Sequence, residues 1–177
     1  DIPSLKNNEL TDVDVIDVFD TSTKVPSSVV LVDTPGISSP EPKHKQTLIN
    51  FLPQADAVLL VSDINQQITS SLTDFAQTMA ISKRPMYLVL TQCDTKSKGE
   101  VQTAKDYVLN NSKLPLEGIV CVSGINGDLD ELYNLLAKIQ KDKGNILIKV
   151  NGQRLMDITN EIISHIDVLT SSSNSDK

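Results

Sequence analysis

The stretch Ser28-Val29-Val30-Leu31-Val32-Asp33-Thr34-Pro35-Gly36 joins a run of β-branched and leucine side chains to an Asp-Thr-Pro-Gly turn. A strand covered on both faces reads as a continuous apolar run rather than an alternating one. This spacing therefore predicts a buried parallel strand over Val29–Asp33 that delivers one carboxylate to its C-terminal edge. Pro35 has no donor for a ladder and Gly36 permits close approach of backbone to a ligand, so the strand ends there.

The same unit recurs downstream. Ala57–Asp63 is a second apolar run, Met86–Thr91 a third and Gly118–Val122 a fourth. Between them lie helical patterns. Ile68, Leu72, Phe75 and Met79 form one stripe, Val101, Ala104 and Val108 a weaker one, and Leu129, Leu132, Leu136 and Ile139 another. Upstream, Val13–Phe19 suits an edge strand, and a loop containing Pro26 joins it to Val29. Residues 37–43 read as a mobile loop, and His44–Leu52 as a short helix stopped by Pro53. Strands alternating with helices at this pitch predict an α/β fold, a doubly wound and mostly parallel sheet with right-handed crossovers.

From Lys143 the pattern changes. Ile146–Val150 is apolar, Gly152 is expected to interrupt it, and Leu155, Ile158, Ile162, Ile166 and Leu169 then form a seam of heptad character with no strand after it. Residues 1–142 are thus expected to be one α/β unit. Residues 143–177 are expected to be the first helix of a bundle, with a disordered tail over Ser171–Lys177. A terminal helix packed back on the sheet is the competing reading.

Composition narrows the function. With 16 Lys and Arg against 23 Asp and Glu, the formal charge is −7, which repels nucleic-acid phosphate and anionic lipid. Two cysteines, Cys93 and Cys121, both beside apolar runs, suit a reducing, cytoplasmic setting better than a disulfide framework. No apolar run reaches the roughly 18 residues of a membrane span. His44 and His165 stand isolated, without a second ligand at metal spacing. The chain opens on Asp-Ile-Pro, with no initiator Met, and reads as part of a longer protein.

Three motifs close three of these strands: Asp33-Thr34-Pro35-Gly36, Thr91-Gln92-Cys93-Asp94 and Val122-Ser123-Gly124. Ligands bind at the carboxyl ends of strands in open α/β sheets. In this order the motifs resemble those of guanine-nucleotide-binding proteins: Asp-x-x-Gly, then [Asn/Thr]-Lys-x-Asp, then a short Ser-Ala loop. The wording around them, Leu-Val-Asp-Thr-Pro-Gly, Phe-Leu-Pro-Gln-Ala-Asp-Ala-Val-Leu-Leu-Val and Gln-Gln-Ile-Thr, is similar to the dynamin-like large GTPases over roughly Ser28–Ile139.

The resemblance implies roles residue by residue. Asp33, Thr34 and Gly36 would form the catalytic motif, with Asp33 binding Mg²⁺ through water and the Gly36 N–H meeting the γ-phosphate. Thr91, Gln92, Asp94, Ser123 and Gly124 would bind the nucleotide. Asp94 would accept the N1 and N2 hydrogens of guanine, Ser123 would orient it, and the Gly124 N–H would donate to O6. The competing role for Asp94 is that of a helix N-cap, and for Asp33 that of a capping carboxylate in its turn. Cys93 has no implied role.

Two departures stand out. Gln92 replaces the Lys whose stem lies along the base, which weakens stacking. None of the seven glycines is followed by Lys, so the phosphate-binding Gly-x-x-x-x-Gly-Lys-[Ser/Thr] loop is absent from the sequence and expected upstream of Asp1. In the family that loop's strand lies beside Val29–Asp33 and Ala57–Asp63. Without it, open edges are expected to favour self-association. The intact protein is thus read as a dynamin-like hydrolase turning GTP into GDP and phosphate. It would be cytoplasmic or peripheral at a membrane through regions outside this chain, and the chain alone would be inactive. The alternative is a nucleotide-free scaffold that keeps the fold.

Overall fold

The computed structural model describes residues 24–34, 36, 51–66, 70–81, 84–112 and 114–174. The edge strand expected at Val13–Phe19, the loop over 37–43 and most of the helix from His44 lie outside them. The elements run β1 (Val58–Asp63), α1 (Ser70–Ile81), β2 (Met86–Thr91), α2 (Lys98–Asn111), β3 (Leu116–Cys121), α3 (Asp130–Lys141) and α4 (Lys143–Asn174). The strands form a parallel sheet in the order β1-β2-β3, with Leu60 opposite Leu88 and Leu90 opposite Cys121. Three of the four strand–helix units are therefore where the hydrophobic periodicity puts them.

β2 is central and buried along almost its whole length. Its even-numbered side chains, Met86, Leu88 and Leu90, pack with Leu60, Cys121, Leu72 and Ala76 of α1, and Val108 of α2. Ala76 is fully buried one turn after Leu72, and its small side chain lets α1 approach the sheet. Tyr87 and Val89 alternate to the other face, where Leu135 and Leu136 of α3 and Val150 of α4 are buried. Helices thus cover both faces, as a doubly wound sheet requires. A bulge between Met86 and Tyr87 sets Gly118 opposite Tyr87; a Cβ at Gly118 would sit 3.4 Å from the tyrosine ring.

The two sheet edges are treated differently. On β3, the outward N–H of Cys121 donates to Glu131 Oε2 at 2.9 Å, and Glu131 also pairs with Lys105 of α2 at 2.9 Å. Burial alone would raise the Glu131 carboxyl. The Lys105 ammonium and the Cys121 N–H outweigh it and hold the group below its usual range. Burial likewise opposes the charge on Lys105, and Glu131 more than restores it. The Glu131 contribution is therefore present above the unfolded carboxyl value of about 4.3 and lost as pH falls through the folded one. Glu131→Gln is expected to lower the unfolding free energy by about 1 kcal/mol at pH 7, with the difference shrinking as pH falls. Urea titration followed by circular dichroism at pH 7 and pH 4 measures both.

The β1 edge has no such cover among the described residues. Val58 N–H donates to Pro85 O and Ile64 N–H to Thr91 O, so the N–H groups of Leu59, Val61 and Asp63 face outward, and Val61 is 65% exposed. The strand expected at Val29–Asp33 does not fill this edge. Val30 is 85% exposed, and residues 29–34 join no sheet. The segment is anchored against α3 instead. Gln140 donates to Ser28 Oγ at 3.1 Å, and the Lys24 ammonium lies 5.4 Å from the Tyr133 ring. The physical reason is pairing: an apolar run becomes a strand only when a neighbour takes its N–H and C=O groups. No such neighbour of Val29–Asp33 lies among the described residues.

α4 also corrects an expectation. It runs unbroken for 32 residues through Gly144 and Gly152 and continues through Ser171–Asn174, where a disordered tail was expected. A helical glycine costs about 1 kcal/mol relative to alanine but keeps its N–H in the ladder, so it weakens a helix without ending it. Val150 is 1% exposed, and Arg154 reaches Asp56 at 3.9 Å. Beyond Arg154 the helix leaves the body, with Leu155, Ile158, Ile162, Ile166 and Leu169 all more than half exposed.

Candidate functional site

The second and third motifs meet at the C-terminal ends of β2 and β3. Val122 N–H donates to Leu90 O at 2.9 Å, and Cys93 N–H donates to Val122 O at 3.2 Å. These two bonds extend the strand pairing past both strand ends and bring Thr91, Gln92 and Asp94 beside Ser123 and Gly124. Ser123 is buried at 4% exposure. Its N–H donates to Asp128 O at 2.9 Å, and its Oγ accepts from Asn126 N–H at 3.2 Å. Its hydroxyl thus serves its own turn, and no bond from it to Asp94 is among those of the described residues. Gly124, by contrast, is exposed at the mouth of the turn.

Asp94 sits in a single 3-10 turn, Cys93–Thr95, before α2. Its expected competitor role, capping that helix, is taken by Ser97. The Ser97 hydroxyl accepts the Glu100 N–H at 3.4 Å, and Glu100 Oε2 accepts the Ser97 N–H at 2.9 Å. This reciprocal capping box satisfies two of the helix's otherwise unpaired donors. The hydroxyl bond from Ser97 holds the Glu100 carboxyl below its usual range. Asp94 is exposed and has no hydrogen-bond partner among the described residues. A carboxylate at a strand-end turn, released from capping, is available to a ligand.

Gln92 adopts left-handed backbone geometry, φ 57° and ψ 31°, the only non-glycine residue to do so among the described residues. Its carbonyl accepts two bonds from Thr95, from the N–H at 3.1 Å and from Oγ1 at 2.7 Å. Thr91 Oγ1 donates to Ser62 O at 3.4 Å, tying β2 back to β1. Asp33, Thr34 and Gly36 belong to the segment that joins no sheet, and no described contact brings them to this site. Among the described residues no cluster of three metal-ligating side chains occurs.

Sequence reasoning passed over Cys93, which carries a structural part: its N–H joins the two loops, and its Sγ–H donates to Leu90 O at 3.2 Å. Burial, together with the neighbouring Cys93 thiol, pushes the Cys121 thiol up to about 12. Cys121 is buried and Cys93 half-buried, and both pack with the core of the sheet. The signal was available in the placement of each beside an apolar strand.

Residues 3–93, just over half of the chain, match the family model described as the Dynamin family. The chain belongs to the dynamin family. Its sequence is 24% identical over 159 residues to Dynamin-like protein A of Bacillus subtilis, covering 84% of this chain and 13% of that protein. It is 28% identical over 115 residues to GTPase Era of Clostridium beijerinckii, covering 62% of this chain and 38% of that protein. The chain thus spans well under half of the length of either relative. Among solved structures, the apo form of translation elongation factor SelB from Methanococcus maripaludis is 20% identical, with a TM-score of 0.48. That likeness covers 63% of this chain and 25% of that one. The segment is part of a GTPase-type domain.

Proposed function

We propose that this chain is the guanine-reading portion of a dynamin-family protein that hydrolyses GTP to GDP and phosphate. The observation that carries the reading is Asp94: exposed, without a described partner, relieved of capping by Ser97, and held beside the Ser123-Gly124 turn. A free carboxylate offers two acceptors in one plane, which suits the N1–H and N2 hydrogens of guanine and not the edge of adenine. The exposed Gly124 N–H would donate to O6. Gln92, uncharged and shorter than Lys, would cover less of the base.

The γ-phosphate chemistry belongs to groups outside the assembled loops. Mg²⁺, when bound, would neutralise developing phosphate charge, and Asp33 is the residue proposed to hold it through water. Asp33, Thr34 and Gly36 would act only once a neighbouring strand pairs with the Val29–Asp33 segment. We further propose a cytoplasmic setting, self-association through the open β1 edge, and α4 beyond Arg154 as the first helix of a bundle. No helix of the described residues is long and apolar enough to cross a membrane.

Phosphate release from GTP separates this reading from its rival, a nucleotide-free scaffold, which Gln92 and the missing Gly-Lys-[Ser/Thr] favour. The intact protein is expected to turn over GTP, while residues 1–177 alone release phosphate no faster than buffer. An intact protein that neither binds GDP nor hydrolyses GTP would support the scaffold. Activity in 1–177 that is lost on Asp33→Ala would show that the phosphate side is complete in this segment.

A further inference from the structure

Asp63 ends β1, and the chain turns at once through Ile64 and Asn65. Asp63 Oδ1 accepts both the Asn65 N–H, at 2.8 Å, and the Asn65 Nδ2, at 3.0 Å. The same Nδ2 donates to Thr95 Oγ1 at 3.1 Å, thirty residues further along the chain. Both amide hydrogens of Asn65 are thereby used. The Thr95 hydroxyl in turn donates to Gln92 O at 2.7 Å, and the Ile64 N–H donates to Thr91 O at 3.1 Å.

The end of this relay is the one left-handed non-glycine residue of the described chain. An L-residue in that region is disfavoured by about 1–2 kcal/mol, and it persists only where its surroundings over-determine it. Gln92 stands two residues before Asp94, so its backbone angles decide where the Asp94 carboxylate lies relative to the Ser123-Gly124 turn. We infer that Asn65 is a positioning residue for guanine recognition: through Thr95 it locks Gln92 in the left-handed conformation and so sets the base-reading Asp94. The inference rests on the reading of Asp94 given above. Asn65 itself touches no base. Asp63 orients the Asn65 amide, so that one hydrogen remains for Thr95.

Release of a fluorescent GDP from the intact protein tests this. Asn65→Ala and Thr95→Val are each expected to speed release about fivefold, the worth of one exposed hydrogen bond in a strained turn. The double variant is expected to be no faster than either single one, because both break the same path. Thr95→Ser keeps the hydroxyl and is expected to release GDP at the wild-type rate. The preference for GDP over inosine diphosphate, which lacks the 2-amino group, is expected to narrow in Asn65→Ala. The melting temperature of the nucleotide-free protein is expected to move by no more than about 2 °C, since both side chains are exposed. Wild-type release and selectivity in Asn65→Ala, from a protein that does bind GDP, would overturn this inference alone. A wild-type protein that binds no guanine nucleotide would overturn the guanine reading together with it.

Discussion

Asp94→Asn in the intact protein is expected to weaken GDP binding by about a hundredfold or more and to turn its preference toward xanthosine diphosphate. A carboxylate accepting two hydrogens from guanine makes two charge-assisted bonds, each worth about 1.5–3 kcal/mol in a site built for them. Asparagine offers one acceptor and one donor, so its NH₂ would face a guanine hydrogen. Xanthine carries an oxygen at C2, which that NH₂ can satisfy. A matched site rejects an unmatched edge by leaving buried polar groups unpaired, which is why the expected effect is large. Titration of wild type and variant with GDP and xanthosine diphosphate reads both numbers. Equal GDP affinity in the two proteins would reduce Asp94 to a residue of its turn. The helix would not report the change, because Ser97 caps α2 in either protein.

Leu88→Ala is expected to remove about 3–5 kcal/mol of stability, the largest loss from any single truncation in the sheet. Leu88 is fully buried at the centre of the middle strand, between Leu60 on β1, Ile119 on β3 and the α1–α2 layer. Truncation there forfeits the transfer free energy of the missing methyl and methylene groups. It also leaves a cavity that two parallel neighbours cannot collapse into. Leu109→Ala, on the exposed side of α2, is expected to change stability by less than about 0.5 kcal/mol. Urea titrations of the two variants side by side give the comparison. A loss of under 1 kcal/mol at Leu88 would mean that β2 is not the central strand.

Local sequence was most informative where burial and pairing agree. β1, β2 and β3 were legible because each is a run of apolar residues ended by polar ones, and each finds a neighbour inside the described chain. The stripes on α2 and α3, with Leu72 and Phe75 of α1, were legible for the same reason, although Ala76 and Leu135 were not; Ile68 lies outside the described residues. A small residue carries little hydrophobic signal even when fully buried, and Leu135 lies beside the expected stripe rather than on it. Gly152 does not end α4, because the intact hydrogen-bond ladder outweighs its low helix propensity.

The candidate site divides along the same line. That the Thr91–Asp94 and Ser123–Gly124 loops lie side by side was legible from motif spacing, since successive parallel strands carry their C-terminal ends to one edge whatever the loops do. The Asn65–Thr95–Gln92 relay was not legible, because it joins residues thirty positions apart through side-chain geometry. Nor was the capping of α2 by Ser97, which depends on where the 3-10 turn at Cys93–Thr95 stops.

By itself, the sequence determined the α/β class, the order of the strand–helix units and the family, all of which follow from hydrophobic period and from motifs written in consecutive residues. The tertiary structure alone decided which apolar run becomes a strand. Val29–Asp33 has the composition of a central strand and lies exposed outside the sheet, whereas the run expected at Gly118–Val122 is a strand, shifted to Leu116–Cys121. The physical reason is that burial preference is a property of a residue, while a β-ladder is a property of two segments. β3 has β2 beside it and Glu131 at its outer edge; Val29–Asp33 pairs with no strand among the described residues.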